Sequence, residues 1–175
     1  MTLYHGSDVP HLTELKPYSW TGETPYAYLS TISALALIYA RNPIQRPGGF
    51  FTYWVDKTGQ LHYDEYFPDQ TRLLYQGHDG WVYTAEADGL IRNEKLPWVY
   101  VSETPVPVAK AEYFPDLYEA LLQAEKDGRL MLHRSEALTE QQHETRRGIV
   151  RESLKTHGED DYRQFIRAHM PEVGA

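Results

Sequence analysis

No cysteine occurs anywhere in the chain. That absence excludes disulfides, thiolate metal sites and a cysteine nucleophile. Long apolar runs are missing as well, so no stretch is a candidate membrane span. The opening residues, MTLYHGSDVPH, lack the charged-then-apolar pattern of a secretory leader, and a cytoplasmic location is expected. Clustered positive charge is scarce too. With a net charge of −8 and Arg146–Arg147 as the densest basic pair, generic nucleic-acid binding is disfavoured. The 8 histidines include no HExxH spacing, so no metal is expected.

Aromatic residues are what the chain has in excess, with 14 Tyr and 4 Trp. Such side chains bury wide flat surfaces while keeping a polar edge, which suits cores and ligand pockets alike. The 175 residues are enough for one domain with an extension. Residues 2–5 read as a short strand ending at Gly6, and 11–17 as a helical turn or loop stopped by Pro17. The alternation in 26–31 predicts a strand leading into a helix over 33–42, with Ser33 as its N-cap. Strands are expected at 50–56 and 60–67, joined through a turn at Asp56–Gly59, then at 81–87, 98–103 and 106–114. Residues 71–77 fit a short helix or strand.

From 116 the pattern becomes helical. Asp116 caps a helix that Gly128 ends, followed by one or two helices over 135–158 and a last one over 160–170. Leu117, Leu121, Leu122 and Leu132 form its apolar stripe. Strands clustered without alternating helices, and no glycine-rich phosphate loop, exclude a Rossmann-like sheet. The expected fold is α+β: a bent, mixed, mostly antiparallel β-sheet core over 1–115, with one early helix and a helical C-terminal extension over 116–175 packed on it.

Two short segments carry candidate chemistry. In Tyr4-His5-Gly6-Ser7 a histidine at a strand end sits beside a glycine that shields none of the neighbouring peptide groups. In Tyr28-Leu29-Ser30-Thr31 a strand-end tyrosine precedes a small-residue helix carrying Tyr39. Two such tyrosines can form facing walls. A flat cationic ring held between them gains about 1–2 kcal/mol once desolvated. On the plainer reading, His5 caps a strand, Gly6 turns the chain and both tyrosines belong to the core.

YHGS followed by YLST and that helix resembles the ADP-ribosyltransferase superfamily, in its His-Tyr-Glu branch of diphtheria-type toxins and poly-ADP-ribosylating enzymes. The stretch from GWVYTAEAD to AEYF is similar to the small rifampin-modifying members. The resemblance implies an ADP-ribosyltransferase-like core with NAD as co-substrate, cleaved between nicotinamide and ribose. It implies that His5 bonds a ribose hydroxyl, the Gly6 backbone holds the carboxamide, Tyr28 and Tyr39 stack on nicotinamide, and Ser7 lies near the adenosine. It also implies a carboxylate opposing the positive charge of the ribose transition state, as in glycoside hydrolysis. Glu103 is the first choice for that role, with Glu94 and Glu112 behind it. The acceptor, whether protein, nucleic acid or small molecule, is not encoded in the motifs. Two alternatives stand beside the enzyme: a protein that binds NAD or ADP-ribose without transfer, and an interaction protein reusing the fold.

Overall fold

A computed structural model describes residues 1–19, 24–42, 49, 52–86, 88–156 and 160–173. In chain order its elements begin with strands β1 (Thr2–Ser7), β2 (Glu14–Leu15) and β3 (Ala27–Ser30), then helix α1 (Ser33–Tyr39). Next come β4 (Thr52–Val55), β5 (Leu61–Asp64), α2 (Gln70–Tyr75), β6 (Gly80–Glu86), β7 (Ile91–Arg92) and β8 (Val99–Ser102). Strands β9 (Val106–Pro107) and β10 (Lys110–Phe114) precede α3 (Leu117–Lys126) and β11 (Leu130–His133). Helices α4 (Glu140–Thr156) and α5 (Asp160–His169) end the order. The protein is therefore α+β, with mostly antiparallel sheets and a helical C-terminal stretch. Among the described residues no helix is long and apolar enough to cross a membrane.

Two compact units divide the chain, Met1–Asn42 with Gly77–Leu121, and Pro43–Gln76 with Leu122–Ala175. The boundary at 115 and 116 expected from sequence falls inside the first of them. That first unit holds a six-stranded sheet in the order β10-β6-β1-β3-β8-β7, with every neighbouring pair antiparallel. One face of it buries Leu3, Ala27, Leu29, Tyr83 and Ala85 with Leu15 and Val106. Full burial of a large apolar side chain is worth roughly 1.5–3 kcal/mol, so this cluster is what holds β1, β3 and β6 together. Leu15 and Val106 reach it because β2 pairs with β9. The segment 11–17 is thus not a helical turn: burial of Leu15 makes part of it a strand. The run 106–114 likewise divides into two strands that pair with different partners, β2 and β6.

Helix α1 is shorter than its sequence pattern, and its cap lies one residue earlier than expected. Its N-cap is Ile32, which makes no side-chain cap, while Ser30 Oγ accepts the Ile32 N–H at 3.0 Å. Ser33 is therefore not the cap. Asp116 does cap α3, its Oδ1 accepting from the N–H groups of Tyr118 and Glu119 at 2.9 and 3.2 Å. Gly128 ends that helix with φ of +73°, a conformation other residues rarely take.

The second unit carries a three-stranded sheet ordered β11-β5-β4, with β5 antiparallel to β4 and parallel to β11. Leu132 lies on β11 and not on a helix, correcting the apolar stripe read from the sequence. Of residues 71–77, 71–75 lie in helix α2 and 76–77 form the turn after it, and 50–51 fall outside the described residues. A second core forms from Tyr66, Phe67, Val150, Ile166, Met170 and Val173, where α4 and α5 pack. Here Asp64 and Arg146 form a buried ion pair. Removing one partner alone would strand the other charge, at a cost of about 3–5 kcal/mol.

Candidate functional site

The site is set by a seam in the six-stranded sheet. Strands β1 and β3 pair only at Tyr4↔Ser30. Thr31 N–H donates to Trp98 O at 3.0 Å, so the peptide groups of 27, 29 and 31 turn toward β8. Those of Tyr28 and Ser30 consequently turn toward β1, and those of Tyr4 and Gly6 toward β3. The next pair in the ladder would be Gly6 with Tyr28, and the pairing stops short of it. In its place the Nδ1–H of His5 donates to the Tyr28 carbonyl at 2.8 Å. A side chain thus substitutes for a ladder bond, and the Gly6 and Tyr28 backbones are left unpaired with each other.

That hydrogen bond also decides the His5 tautomer. A carbonyl can only accept, so neutral His5 carries its proton on Nδ1 and a lone pair on Nε2. Among the described residues nothing bonds Nε2, and the atom is not sealed from solvent. Burial of the ring is the larger influence on its basicity and lowers its pKa below 6.5, against the weaker upward pull of the Tyr28 carbonyl. At neutral pH His5 is an uncharged acceptor for a hydroxyl. Because the unfolded chain takes up the proton that folded His5 resists, stability is complete above about pH 6.5 and falls as the pH drops through the lowered native value. Thermal unfolding at pH 7.5 and 5.5 should show a larger loss on acidification in wild type than in His5→Asn, which keeps a donor for Tyr28. Equal losses in the two proteins would contradict a lowered His5 pKa.

Glycine at position 6 is required by packing. A Cβ there would lie 1.8 Å from Ala36 O, 2.5 Å from Ala40 N and 2.8 Å from the Tyr39 carbonyl carbon. The end of α1, with Tyr39, therefore sits directly on the Gly6 backbone. Gly6 does not end the strand, as its sequence context suggested, because β1 continues through Ser7.

Alternation along the strands assigns the faces. Tyr4 opposes Ser30, so Gly6, Tyr28 and Ser30 share the face covered by α1, while Leu3, His5 and Leu29 share the other. The resemblance requires the His5 and Tyr28 side chains to line one cleft, and they do not: they leave the sheet on opposite faces, which counts against the resemblance. What brings them together is the unpaired seam, through which the His5 ring reaches the Tyr28 backbone. Tyr28 itself is 54% exposed and is not a core residue.

Of the three carboxylates, Glu103 lies nearest this region. Tyr28 pairs with Val101, and two residues on, Glu103 Oε1 is 3.5 Å from the Tyr26 hydroxyl, a loose contact. The Tyr26 ring in turn meets Tyr28 edge-to-face, with centroids 6.2 Å apart. Glu112 shares a face with Gly6 through Val82, yet α1 stands on Gly6 between them. Glu94 lies in the exposed turn after β7, beside Arg92, Asn93 and Pro97. Ser7 accepts the Val9 N–H at 3.1 Å and opposes Trp81.

Tyr26 and Trp81 were missed by the sequence reading. Tyr26-x-Tyr28 is a same-face strand pair, and that spacing was the available signal for the first. Trp81 contacts His11 and Tyr113 at 5.3 and 4.9 Å between centroids, an aromatic ridge on the His5 face that only the strand register assembles. No protein-family model, curated protein or solved structure matches the chain.

Proposed function

We propose that the first unit is an ADP-ribosyltransferase-like module that binds NAD across the β1–β3 seam, cleaves the nicotinamide–ribose bond and passes ADP-ribose to an acceptor. One observation carries this reading, the seam itself: two opposed backbone edges with a neutral histidine acceptor beside them. A carboxamide offers an N–H donor and a carbonyl acceptor, the complement of the Gly6 peptide edge. The His5 Nε2 lone pair suits a ribose hydroxyl. Tyr28, exposed on the face where α1 brings Tyr39 over Gly6, offers a flat wall for the nicotinamide cation. Because the β1–β3 ladder stops there, a ligand along the seam would meet groups from both faces.

In the reaction, stretching the glycosidic bond builds positive charge on the ribose. The Glu103 carboxylate opposes that charge and accepts from the 2′-hydroxyl. Nicotinamide leaves as a neutral base, and the acceptor nucleophile takes its place on the ribose carbon. A second reading, binding of NAD or ADP-ribose without transfer, is favoured by the exposure of Glu103 and its one long contact to Tyr26.

Substitution at Tyr28 tests the binding geometry. Tyr28→Ala should weaken NAD binding about tenfold, the equivalent of roughly 1–2 kcal/mol, and leave the melting temperature nearly unchanged. Calorimetric titration beside thermal unfolding reads both quantities. A large stability loss at unchanged NAD affinity would place Tyr28 in the scaffold and remove the proposed wall.

A further inference from the structure

The second unit contains a hydrogen-bonded chain of titratable groups that the NAD reading does not use. Asp56, in the β4–β5 turn, has Oδ1 occupied by Thr58 N, Thr58 Oγ1 and Gln60 N at 2.8, 2.7 and 3.0 Å. Those donors, the Thr58 hydroxyl first, hold its carboxyl well below the usual carboxylate range. Its Oδ2 is 3.3 Å from His62 Nε2, and His62 Nδ1 is 2.9 Å from His133 Nε2. The two imidazoles are nearly coplanar, 12° apart, and meet nitrogen to nitrogen. A head-on contact at 2.9 Å holds one proton and leaves no room for a metal ion between the rings.

The direction of every bond follows. A carboxylate only accepts, so His62 donates from Nε2 to Asp56 and its Nδ1 carries a lone pair. His133 must then donate from Nε2, which leaves the lone pair of neutral His133 on Nδ1. Among the described residues nothing bonds that atom, and it is open to solvent. Trp54 lies flat over both rings, 9° from His62 and 17° from His133, and is 39% exposed. Met131, on the same sheet face opposite His62, is 46% exposed. Of the other charged neighbours, Lys57 beside Asp56 is exposed, and the rest are committed elsewhere. Asp64 pairs with Arg146, Arg134 with Glu125, and Glu65 accepts from Thr71 N and Ser135 N.

We propose that Asp56, His62 and His133 form a second, acid–base site that hydrolyses neutral, flat acyl esters lying against Trp54 and Met131. His133 Nδ1 takes a proton from water as the water oxygen bonds to the acyl carbon. His62 and Asp56 are positioning residues that oppose the charge gained by His133. The ester C–O bond then breaks, and the imidazolium returns the proton to the leaving oxygen, so water and ester become acid and alcohol. Neutral esters fit because the exposed rim, Trp54 and Met131, is apolar.

The test is hydrolysis of p-nitrophenyl acetate by the full chain across pH, with His133→Gln, His62→Gln, Asp56→Asn and the control His143→Gln. His133→Gln should lower the rate about a hundredfold, and His143→Gln should not change it. His62→Gln keeps both hydrogen bonds, its amide N–H facing Asp56 and its oxygen facing His133, yet transmits no proton. It should slow hydrolysis about tenfold and move the pH midpoint down, as should Asp56→Asn. Nitrogen-15 NMR of the wild-type protein should find both histidines as Nε2–H tautomers, a readout independent of any variant's folding. Wild-type rates in His133→Gln, an unmoved midpoint in both His62→Gln and Asp56→Asn, or an Nδ1–H tautomer at His133 would each overturn the proposal.

Discussion

Replacing Glu103 by Gln should lower NAD turnover by about a hundredfold to a thousandfold while changing NAD affinity less than about twofold. The reasoning starts from when the charge is needed. In the bound ground state the ribose is neutral, so the carboxylate contributes little there. In the transition state the ribose is cationic, and loss of one well-placed opposing group typically costs about 2.7–4 kcal/mol. Gln retains size and a hydrogen-bonding oxygen and removes only the charge, so the split between affinity and turnover isolates the electrostatic role. Calorimetry gives the first quantity and chromatography of released nicotinamide the second. Glu94→Gln and Glu112→Gln run in parallel, and both should behave as wild type. The exposed turn after β7 keeps Glu94 at the surface, and α1 stands between Glu112 and the seam. Full turnover in Glu103→Gln with collapse in either of the others would move the carboxylate role there.

Gly6→Ala should be the most damaging single change in the first unit, lowering stability by about 3 kcal/mol. The contacts a Cβ would meet, Ala36 O at 1.8 Å and Ala40 N at 2.5 Å, are backbone atoms of α1 and cannot rotate away. Relief requires α1 to lift from the sheet, which exposes its buried face of Ala34, Leu35, Ala36, Leu37 and Ile38. For a chain of 175 residues that loss lowers the melting temperature by about 6–12 °C. Gly89→Ala makes a useful comparison, because nothing lies within 4 Å of a Cβ there and only its φ of +76° opposes the change. It should cost about 1 kcal/mol. Equal melting temperatures in the two variants would show that α1 does not rest on Gly6.

Local chemistry made part of this structure readable. Asp116 and Gly128 bracket α3 because a carboxylate can cap free N–H groups and glycine tolerates a left-handed stop. The β4–β5 hairpin follows from Asp56-Lys57-Thr58-Gly59, whose turn is tied by the Asp56 side chain and a Gly59 φ of +88°. Strand β11 was not readable. LMLH is four residues long, and it is a strand only because β5, distant in sequence, lies parallel beside it. The same holds within the candidate site. His5 and Tyr28 stood out by residue type, and the structure does bring them into contact. Which face each side chain takes depends on the Tyr4↔Ser30 register, a property of strand pairing that neither segment carries alone. The His62–His133 contact spans a separation of 71 residues, and neither local sequence hints at the other.

The NAD reading meets its most direct test in one experiment on the unmodified protein: calorimetric titration with NAD, followed by chromatography of the same sample for nicotinamide. Binding at the β1–β3 seam predicts saturable heat with a dissociation constant within about 1 μM–1 mM, and nicotinamide accumulating beyond its spontaneous release. Binding without nicotinamide, whatever acceptor is supplied, would leave the seam as a nucleotide sensor and contradict the transferase. No heat at saturating NAD would contradict the transferase and the sensor together, and would make the seam, His5 and Tyr28 features of the scaffold alone.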